Sequence, residues 1–401
     1  MTTRWLSIIG VGEDGRDGLS PRALVLIEHA TLIVGGPRHL DLIGPTTATK
    51  LPWSSPLQDT IPTLLALRGS PVVVLASGDP FWFGVGTTLA RFVPRDEMNV
   101  LPAPSSFQLA ASLLGWPLQD TITLGLNTHA LETLIPHLHP GARIFALSVG
   151  AQTPGHIARL LTGKGFGPSK LHVLEALGGP RERISTQSAA AFTLAGINPL
   201  NFTAIEVVAD RHAQPIPRAP GLPDELFEND GQLTKREVRA LTLSALAPKP
   251  GELLWDVGLG AGSIAIEWLL AHPTTRAIGF ERDPERATRA ARNALYLGVP
   301  RLDIRTGAAP EVLSGCPTPG TIFIGGGASP AIMDACWSAL KPGGRLVANA
   351  VTLETEALLI SWHATHGGTL TRLSLDRAES VGTKHGWRAS MPVTQYAVIK
   401  P

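Results

Sequence analysis

The chain has 401 residues, of which 44% are hydrophobic and 17% are charged, and its formal net charge is +1. This length predicts two domains, and the balanced charge disfavours nucleic-acid binding through bulk charge. Cys316 and Cys336 show no short ligand spacing, so we expect no metal site and no disulfide framework, as in a reducing cytoplasm. The apolar run at residues 5–11 is too short for a signal sequence or a membrane span, so we expect no membrane association.

The first half of the chain alternates short β-rich runs with helical runs. Ser20 suits a helix N-cap and Pro21 suits the first helical position, so a helix is predicted to begin there. Further helices are predicted at residues 84–92 and 105–114, and strands at residues 6–11, 72–76, 143–147, 171–174 and 202–207.

A proline-rich stretch at residues 214–223 separates the two halves. It contains four prolines, and proline fixes its own φ angle and biases the preceding residue toward extended conformations. We therefore predict a first domain at residues 1–210, a linker at 211–225 and a second domain at 226–401.

The second half alternates strands and helices more regularly. This alternation predicts an α/β fold with a mostly parallel, doubly wound sheet that ends in an antiparallel strand. Helices are predicted at residues 235–246, from 263 onward and at 284–296, and strands at 253–257, 277–281, 302–306, 321–324, 345–348 and 396–399.

The clearest candidate site follows the strand that ends near Asp256. Glycines allow a tight turn close to a ligand, and open α/β sheets bind ligands beyond the carboxyl ends of their strands. Glu281 ends the next strand, where its carboxylate can accept hydrogen bonds from both hydroxyls of a ribose. The main alternative ligand is a nicotinamide dinucleotide, but the G-x-G-x-x-G motif of proteins that bind it would require glycine where Ser263 stands. The loop consists of Gly258, Leu259, Gly260, Ala261 and Gly262.

Three further features of the second half are candidates for ligand binding. Thr234 and Glu237 have capping-box spacing, and Thr234 with the helix N-terminus can meet an anionic group. The three glycines at residues 325–327 either make room for a bulky planar substrate or form a loose turn. The basic residues Lys235, Arg236 and Arg239 either hold substrate carboxylates or form a solvated helix face.

Three turns follow strands of the first half and can converge on one crevice, although each alone also fits an ordinary turn. Phe81, Trp82 and Phe83 either flank a flat substrate or pack in the interior. The turns contain Gly10 and Gly12, then Gly78, Asp79 and Pro80, and finally Ser105 and Ser106.

These motifs resemble those of known methyltransferases. The glycine loop resembles the first motif of class I S-adenosylmethionine-dependent methyltransferases. Residues 1–210 resemble tetrapyrrole (corrin/porphyrin) methylase domains through Gly10-x-Gly12 and residues 35–40, 77–80 and 104–106. Residues from 225 onward resemble the partner methyltransferase through residues 234–239, the glycine loop and residues 307–311. In this order, both domains resemble the fused, decarboxylating precorrin-6Y methyltransferases of cobalamin synthesis.

The resemblance implies a two-lobed tetrapyrrole methylase domain followed by a Rossmann-like methyltransferase domain. It implies that the second domain methylates meso carbon 15 and decarboxylates the ring C acetate, and that the first domain methylates meso carbon 5. Precorrin-6B would become precorrin-8X at the expense of two S-adenosylmethionine molecules. Gly307 and Ala308 join the candidate cofactor-binding residues, and Gly326 and Gly327 the candidate substrate-binding residues. The catalytic acid is not identified, although His385 is a candidate, and we expect a homo-oligomer.

The sequence departs from the family pattern in two places. Glu13 and Asp14 stand where broader tetrapyrrole methylases commonly have proline, and Ala308 stands where related domains often have an aspartate that binds adenine. Loss of that hydrogen bond would cost about 0.5–1.5 kcal/mol. One alternative is that only one half is active and the other binds substrate. An RNA or protein methyltransferase is disfavoured by the charge balance and because residues 321–327 lack an Asn-Pro-Pro motif.

Overall fold

The computed structural model describes residues 4–401, which form two compact units. The first unit comprises the residues up to Leu131 together with His137–Gln214, and the second comprises Glu132–Pro136 and Pro215–Pro401. Across residues 4–401, no helix is long and apolar enough to cross a membrane. The same residues contain no group of His, Cys, Asp and Glu side chains suited to a metal ion.

The first lobe of the first unit is a parallel sheet in the order β3-β2-β4-β1-β5. All six residues of β1 are buried, as expected for a strand covered on both faces by helices. The strands are β1 (Leu6–Val11), β2 (Leu32–Gly35), β3 (Thr49–Pro52), β4 (Val72–Ser77) and β5 (Met98–Leu101). The helices of this lobe are α1 (Pro21–Glu28), α2 (Pro37–Leu42), α3 (Ile61–Ala66) and α4 (Gly86–Leu89). Helix α5 (Ser106–Leu114) follows β5, and its buried residues pack with those of the second lobe.

The second lobe is a mixed sheet in the order β6-β7-β10-β8-β9, in which only β6 and β7 pair in parallel. Its elements are β6 (Ile122–Gly125), β7 (Arg143–Leu147), α6 (Thr153–Gly163), β8 (Lys170–Glu175), β9 (Arg183–Ser188) and β10 (Asn201–Glu206). The two sheets confirm the two-lobed α/β architecture expected for this half.

The second unit has a seven-stranded sheet in the order β13-β12-β11-β14-β15-β19-β16. Only β19 runs opposite to the other six strands, which confirms the doubly wound sheet and its antiparallel last strand. The helices are α7 (Arg236–Leu246), α8 (Ser263–Ala271), α9 (Pro284–Tyr296), α10 (Pro330–Ala339) and α11 (Leu353–His366). The strands are β11 (Leu253–Val257), β12 (Arg276–Glu281), β13 (Asp303–Thr306), β14 (Thr321–Ile324), β15 (Arg345–Ala350), β16 (Thr369–Leu373), β17 (Asp376–Val381), β18 (Lys384–Ala389) and β19 (Val393–Ile399).

Part of the proline-rich stretch is packed rather than free. Ile216 is 6% exposed and Leu222 is 1% exposed. The backbone N–H groups of Gly221 and Leu222 donate to the carboxylate of Glu267 at 2.6 and 2.9 Å. This part of the predicted linker therefore belongs to the second unit.

The hairpin formed by β17 and β18 has no counterpart in the predicted elements. Its two strands pair antiparallel from Asp376 opposite Ala389 to Val381 opposite Lys384. Nearly all of its residues are exposed, so the apolar alternation that marks a half-buried strand is missing.

Candidate active sites

The glycine loop of the second unit is held against the neighbouring strand. The N–H groups of Gly258 and Leu259 both donate to the carbonyl of Phe280 at 3.0 Å, and Gly262 donates to the carbonyl of Leu259 at 2.9 Å. Gly258, Gly260 and Gly262 have φ angles of +80°, +56° and +80°. These left-handed conformations favour glycine, so the residue type at all three positions follows from the turn.

The two glycine segments of this unit lie backbone to backbone. A Cβ atom on Gly258 would lie 2.7 Å from the carbonyl oxygen of Gly326, and Gly325 donates to the carbonyl of Val257 at 2.9 Å. A Cβ atom on Gly326 or on Gly327 would have nothing within 4 Å. Close packing therefore requires glycine at 258, whereas 326 and 327 leave open space at the strand ends.

Glu281 joins this edge of the sheet to the loop. Its Oε2 atom accepts from Gly260 N–H at 2.8 Å and its Oε1 atom from Asp283 N–H at 3.1 Å. Gly307 N–H donates to the Glu281 carbonyl at 2.9 Å, which brings the end of β13 to the same place. A carboxylate oxygen can accept more than one hydrogen bond, so Glu281 can also accept from a ribose.

Asp256 lies beneath the loop and is 1% exposed. Its Oδ2 atom accepts from Ala265 N–H at 3.0 Å, in the first turn of α8. Its Oδ1 atom has no hydrogen-bond partner among the described residues. Burial, and then the charge of Glu281, raise the pKa of Asp256 to about 8.

The predicted capping box at Thr234 and Glu237 is wrong. Helix α7 begins at Arg236, and its N-cap is Lys235, whose side chain makes no capping hydrogen bond. Thr234 therefore precedes the cap, and its carbonyl accepts from Arg239. Glu237 instead pairs with Arg377 of the hairpin at 2.5 Å.

The prediction that Arg239 holds a substrate carboxylate is also contradicted, as is the alternative of a solvated position. Its side chain is 0% exposed. The guanidinium donates to Glu267 at 2.6 Å, to Asp224 at 3.0 Å and to the carbonyls of Thr234 and Leu222. Because the protein already occupies these donors, Arg239 stabilises the fold of the second unit.

The remaining candidates of this unit have side chains near the surface. Lys235 and Arg236 are exposed, and Lys235 Nζ lies 3.9 Å from an Asp224 carboxylate oxygen. Ala308 is exposed, and its carbonyl accepts from Val312 N–H at 3.0 Å. His385 is exposed on β18.

A cavity of about 530 Å³ in the second unit lies elsewhere. It is lined by the proline-rich segment and by residues of α7 and α8, including Leu243 and Leu270, and by none of the loop glycines. We place the candidate site at the loop because the glycines, the acid and the open space converge at the strand ends, where such sheets bind ligands.

In the first unit, the three predicted turns meet. A Cβ atom on Gly10 would lie 1.9 Å from the carbonyl oxygen of Gly78, and one on Gly78 would lie 2.6 Å from the Cα atom of Ser105. Gly78 has a φ angle of +54°, and its carbonyl accepts from Ala103 N–H at 3.2 Å. Glycine at positions 10 and 78 lets the ends of β1, β4 and β5 come together.

Other residues of these turns hold the backbone in place. The Asp79 carboxylate accepts from Phe81 N–H at 2.8 Å, and the Pro80 carbonyl accepts from Gly86 N–H at 2.8 Å. The Gly12 carbonyl accepts from Gly15 N–H at 3.1 Å. Ser105 caps α5 in a capping box with Gln108, so its hydroxyl is already engaged.

A cleft of about 400 Å³ in the first unit contains several of the predicted residues. Sequence reasoning did not assign a role to Glu13, Arg38 or His39, which also line it. Arg38 and Ser77 are 39 positions apart, and only the adjacency of β2 and β4 brings them together. The predicted residues that line the cleft are Gly12, Gly78, Ser105 and Ser106.

The aromatic residues beside this cleft are not packed in the interior. Phe81, Trp82 and Phe83 are 39%, 47% and 40% exposed, and Trp82 and Phe83 line the cleft. The Phe83 ring stacks on Phe107 with centroids 5.5 Å apart. Of the two sequence interpretations, a surface beside a flat ligand agrees with this exposure.

Two family models match the chain. The model described as tetrapyrrole (corrin/porphyrin) methylases matches residues 6–192. The model described as a precorrin methyltransferase domain matches residues 225–400. Together they cover both units.

Curated relatives match either the whole chain or part of it. A precorrin-6Y C(5,15)-methyltransferase [decarboxylating] of a Sinorhizobium species is 54% identical over 99% of this chain and 96% of its own length. A Salmonella typhimurium cobalt-precorrin-7 C(5)-methyltransferase is 27% identical over 45% of this chain and 88% of its own length. A protein of Saccharolobus solfataricus, named "Probable cobalt-precorrin-6B C(15)-methyltransferase (decarboxylating)", is 40% identical over 34% of this chain and 72% of its own length.

The two folds, with glycine turns at their strand ends, define a methyltransferase with two methylase-type units. At 54% identity across nearly its full length, the chain belongs to the family of decarboxylating precorrin-6Y C(5,15)-methyltransferases. This confirms the resemblance drawn from the sequence motifs.

Proposed function

We propose that the chain converts precorrin-6B to precorrin-8X in cobalamin synthesis, with S-adenosylmethionine as the methyl donor. In this reaction meso carbons 5 and 15 are methylated and the acetate of ring C loses carbon dioxide. The observation that carries the proposal is that each unit has its own set of close-packed glycine turns at its strand ends. Gly258 and Gly326 meet in one unit, and Gly10 and Gly78 in the other.

The second unit offers a binding site that fits the nucleoside of the donor. Glu281 would hold the ribose hydroxyls, and the backbone of residues 258–262 would lie along the donor molecule. Gly307 and Ala308 would lie beside the adenine, where Ala308 offers only backbone groups. Thr234 is a further candidate for the carboxylate of the donor. The orphaned Oδ1 atom of Asp256 supplies one more polar atom below the loop.

The first unit would hold a second donor molecule at its converging turns. The residues that we assign to this site are Gly10, Gly12, Gly78, Asp79, Pro80, Ser105 and Ser106. Ser105 would contribute through its backbone, because its hydroxyl already takes part in the capping box.

We assign C15 methylation and decarboxylation to the second unit and C5 methylation to the first. Separate C(15) and C(5) relatives, each matching less than half of this chain, support two divisible activities. Lys235 and Arg236 are exposed cations that would bind substrate carboxylates, and Gly326 and Gly327 leave space for the macrocycle. Assembly into a homo-oligomer stays a prediction, which light scattering of the full chain would test.

The residues of both sites act by positioning and by excluding water. S-adenosylmethionine supplies a methyl group on a sulfonium, which is electrophilic enough for an electron-rich carbon to accept it without an enzyme nucleophile. Holding two reactants in line contributes about 7–11 kcal/mol. The glycine turns serve this purpose because they bring the backbone against the ligand without side chains in between.

Calorimetric titration of the full chain with S-adenosylhomocysteine tests the two-site proposal. We expect two equivalents to bind. Glu281→Gln should weaken one of the two sites by about tenfold or more, because it removes charged hydrogen bonds to the ribose, and should leave the other unchanged. Glu285→Gln, which alters an exposed carboxylate at the start of α9, is the matched control.

One equivalent in the wild type would instead favour the second candidate function, in which one unit only binds substrate. Binding of two equivalents that Glu281→Gln does not affect would contradict the assignment of Glu281.

A further inference from the structure

We propose that Arg38 binds a carboxylate of the tetrapyrrole substrate in the cleft of the first unit. This inference rests on the proposed function, in which the first unit methylates carbon 5. Arg38, with a side chain 34% exposed, lines the cleft together with Gly78, Ser105 and Ser106 of the converging turns.

The Arg38 guanidinium is held in one orientation by three side chains. One terminal nitrogen donates to Glu13. The other contacts His39 Nε2 at 2.9 Å and Ser77 Oγ at 3.1 Å. A guanidinium carries five N–H donors and no acceptor, so these contacts leave donors for a ligand in the cleft.

His39 serves this arrangement as an acceptor. Because Arg38 can only donate, His39 Nε2 accepts from it, and the same nitrogen lies 2.8 Å from Ser77 Oγ. Burial, and then the charge of Arg38, lower the pKa of His39 to about 4. The imidazole is therefore neutral near pH 7 and stays able to accept from Arg38.

Arg38 shares its carboxylate partner with a second arginine. Glu13, whose side chain is 7% exposed, pairs with both Arg38 and Arg181, the latter at 3.5 Å. Glu13 is therefore shared between two arginines and does not neutralise Arg38 alone. Among the described residues that line the cleft, Arg38 is the only Lys or Arg and Glu13 the only Asp or Glu. A carboxylate of a ligand would accept charge-assisted hydrogen bonds from the free N–H donors of Arg38.

The same cleft has an aromatic surface. Trp82 and Phe83 line it and are 47% and 40% exposed. Phe83 has a φ angle of +54°, a conformation that costs a non-glycine residue about 1 kcal/mol or more and is typical of ligand sites. Exposed aromatic rings and an oriented cation in one cleft suit a conjugated macrocycle with acetate side chains.

The test uses the full chain with precorrin-6B and methyl-labelled S-adenosylmethionine. Carbon-13 NMR assigns each new methyl group to carbon 5 or carbon 15. For Arg38→Ala we expect the tetrapyrrole concentration that gives half-maximal C5 methylation to rise about tenfold or more, as for loss of a charged hydrogen bond. C15 methylation and the number of S-adenosylhomocysteine molecules bound should not change. Arg38→Lys keeps the positive charge but loses the planar guanidinium, so its half-maximal concentration should lie between those of the wild type and Arg38→Ala.

Arg16→Ala is the matched control, because Arg16 belongs to the same unit, is 38% exposed and pairs with Glu28. We expect it to behave as the wild type. Provided that Arg38→Ala still binds two equivalents of S-adenosylhomocysteine, an unchanged half-maximal tetrapyrrole concentration would overturn the inference. A fall in the maximal rate of C5 methylation alone would also overturn it. If Arg38→Ala fails to fold, an unchanged half-maximal concentration in Arg38→Lys would overturn it. Wild-type protein that binds one equivalent would contradict the proposed function instead.

Discussion

Replacement of Arg239 by methionine separates a structural role from a substrate-binding role. Arg239 is fully buried, and its guanidinium lies over the ring of Phe227 at 4.7 Å. Its main ionic partner, Glu267, has a side chain only 3% exposed. Methionine has a similar length and no charge, so the substitution leaves the Glu267 carboxylate buried without its cation.

The contacts set the size of the expected effect. Breaking a buried ion pair by removing one partner costs about 3–5 kcal/mol. Glu267 would keep two backbone donors, from Gly221 and Leu222, so we expect the lower end, about 3 kcal/mol. For a unit of this size that corresponds to a fall in Tm of roughly 6–12 °C.

Urea denaturation and calorimetric scanning of the full chain would measure the loss. Arg236→Met, at an exposed position of the same helix, is the control and should change the free energy of unfolding by less than about 0.5 kcal/mol. The Arg239→Met/Glu267→Gln double variant should recover part of the loss, because it removes the unpaired buried charge. Wild-type stability combined with a higher KM for the tetrapyrrole would refute the reasoning and restore Arg239 as a substrate-binding residue.

Two further predictions concern the second-unit site. Gly258→Ala should abolish binding of S-adenosylhomocysteine at one of the two sites, as measured by calorimetry. The new Cβ atom would lie 2.7 Å from the Gly326 carbonyl oxygen, and the φ angle of +80° at this position costs alanine about 1–2 kcal/mol. Two unaltered sites would contradict this prediction. Compared with the wild type, Asp256→Asn should stabilise the chain more at pH 8 than at pH 5. Burial raises the pKa of Asp256 to about 8, so between about pH 4 and pH 8 the unfolded chain has lost a proton that the folded chain retains. The wild-type free energy of unfolding therefore falls across this window by an amount on the order of a few kcal/mol, and equal pH slopes in urea denaturation of both proteins would contradict the argument.

The sequence predicted elements well where the local chemistry is unambiguous. Strand β11 has the predicted bounds because all five of its residues are apolar or buried and a glycine turn ends it. Helix α1 begins at Pro21 with Ser20 as a side-chain cap, as the pair of residue types indicated. The glycine loop was predictable for the same reason, since its left-handed turns require the residue type that marks it.

Other parts of the site depend on tertiary structure. Arg239 lies three, four and seven positions before Thr242, Leu243 and Leu246, which are all buried. This helical spacing places Arg239 on the buried face of the helix, whereas its charge indicated a position exposed to solvent. No local pattern in the sequence identified Glu267 as its partner. The contact of Arg38 with Ser77 depends on strand order, which local patterns do not reveal. The hairpin of β17 and β18 was missed because no apolar periodicity marks it.

The central claim is that one chain transfers two methyl groups and removes one carboxyl group. Mass spectrometry of the product that the full chain forms from precorrin-6B and S-adenosylmethionine tests it most directly. We expect a product with two added methyl groups and one carboxyl group lost as carbon dioxide, together with two molecules of S-adenosylhomocysteine. A product with one added methyl group at complete conversion, or one that keeps every carboxyl group, would contradict it.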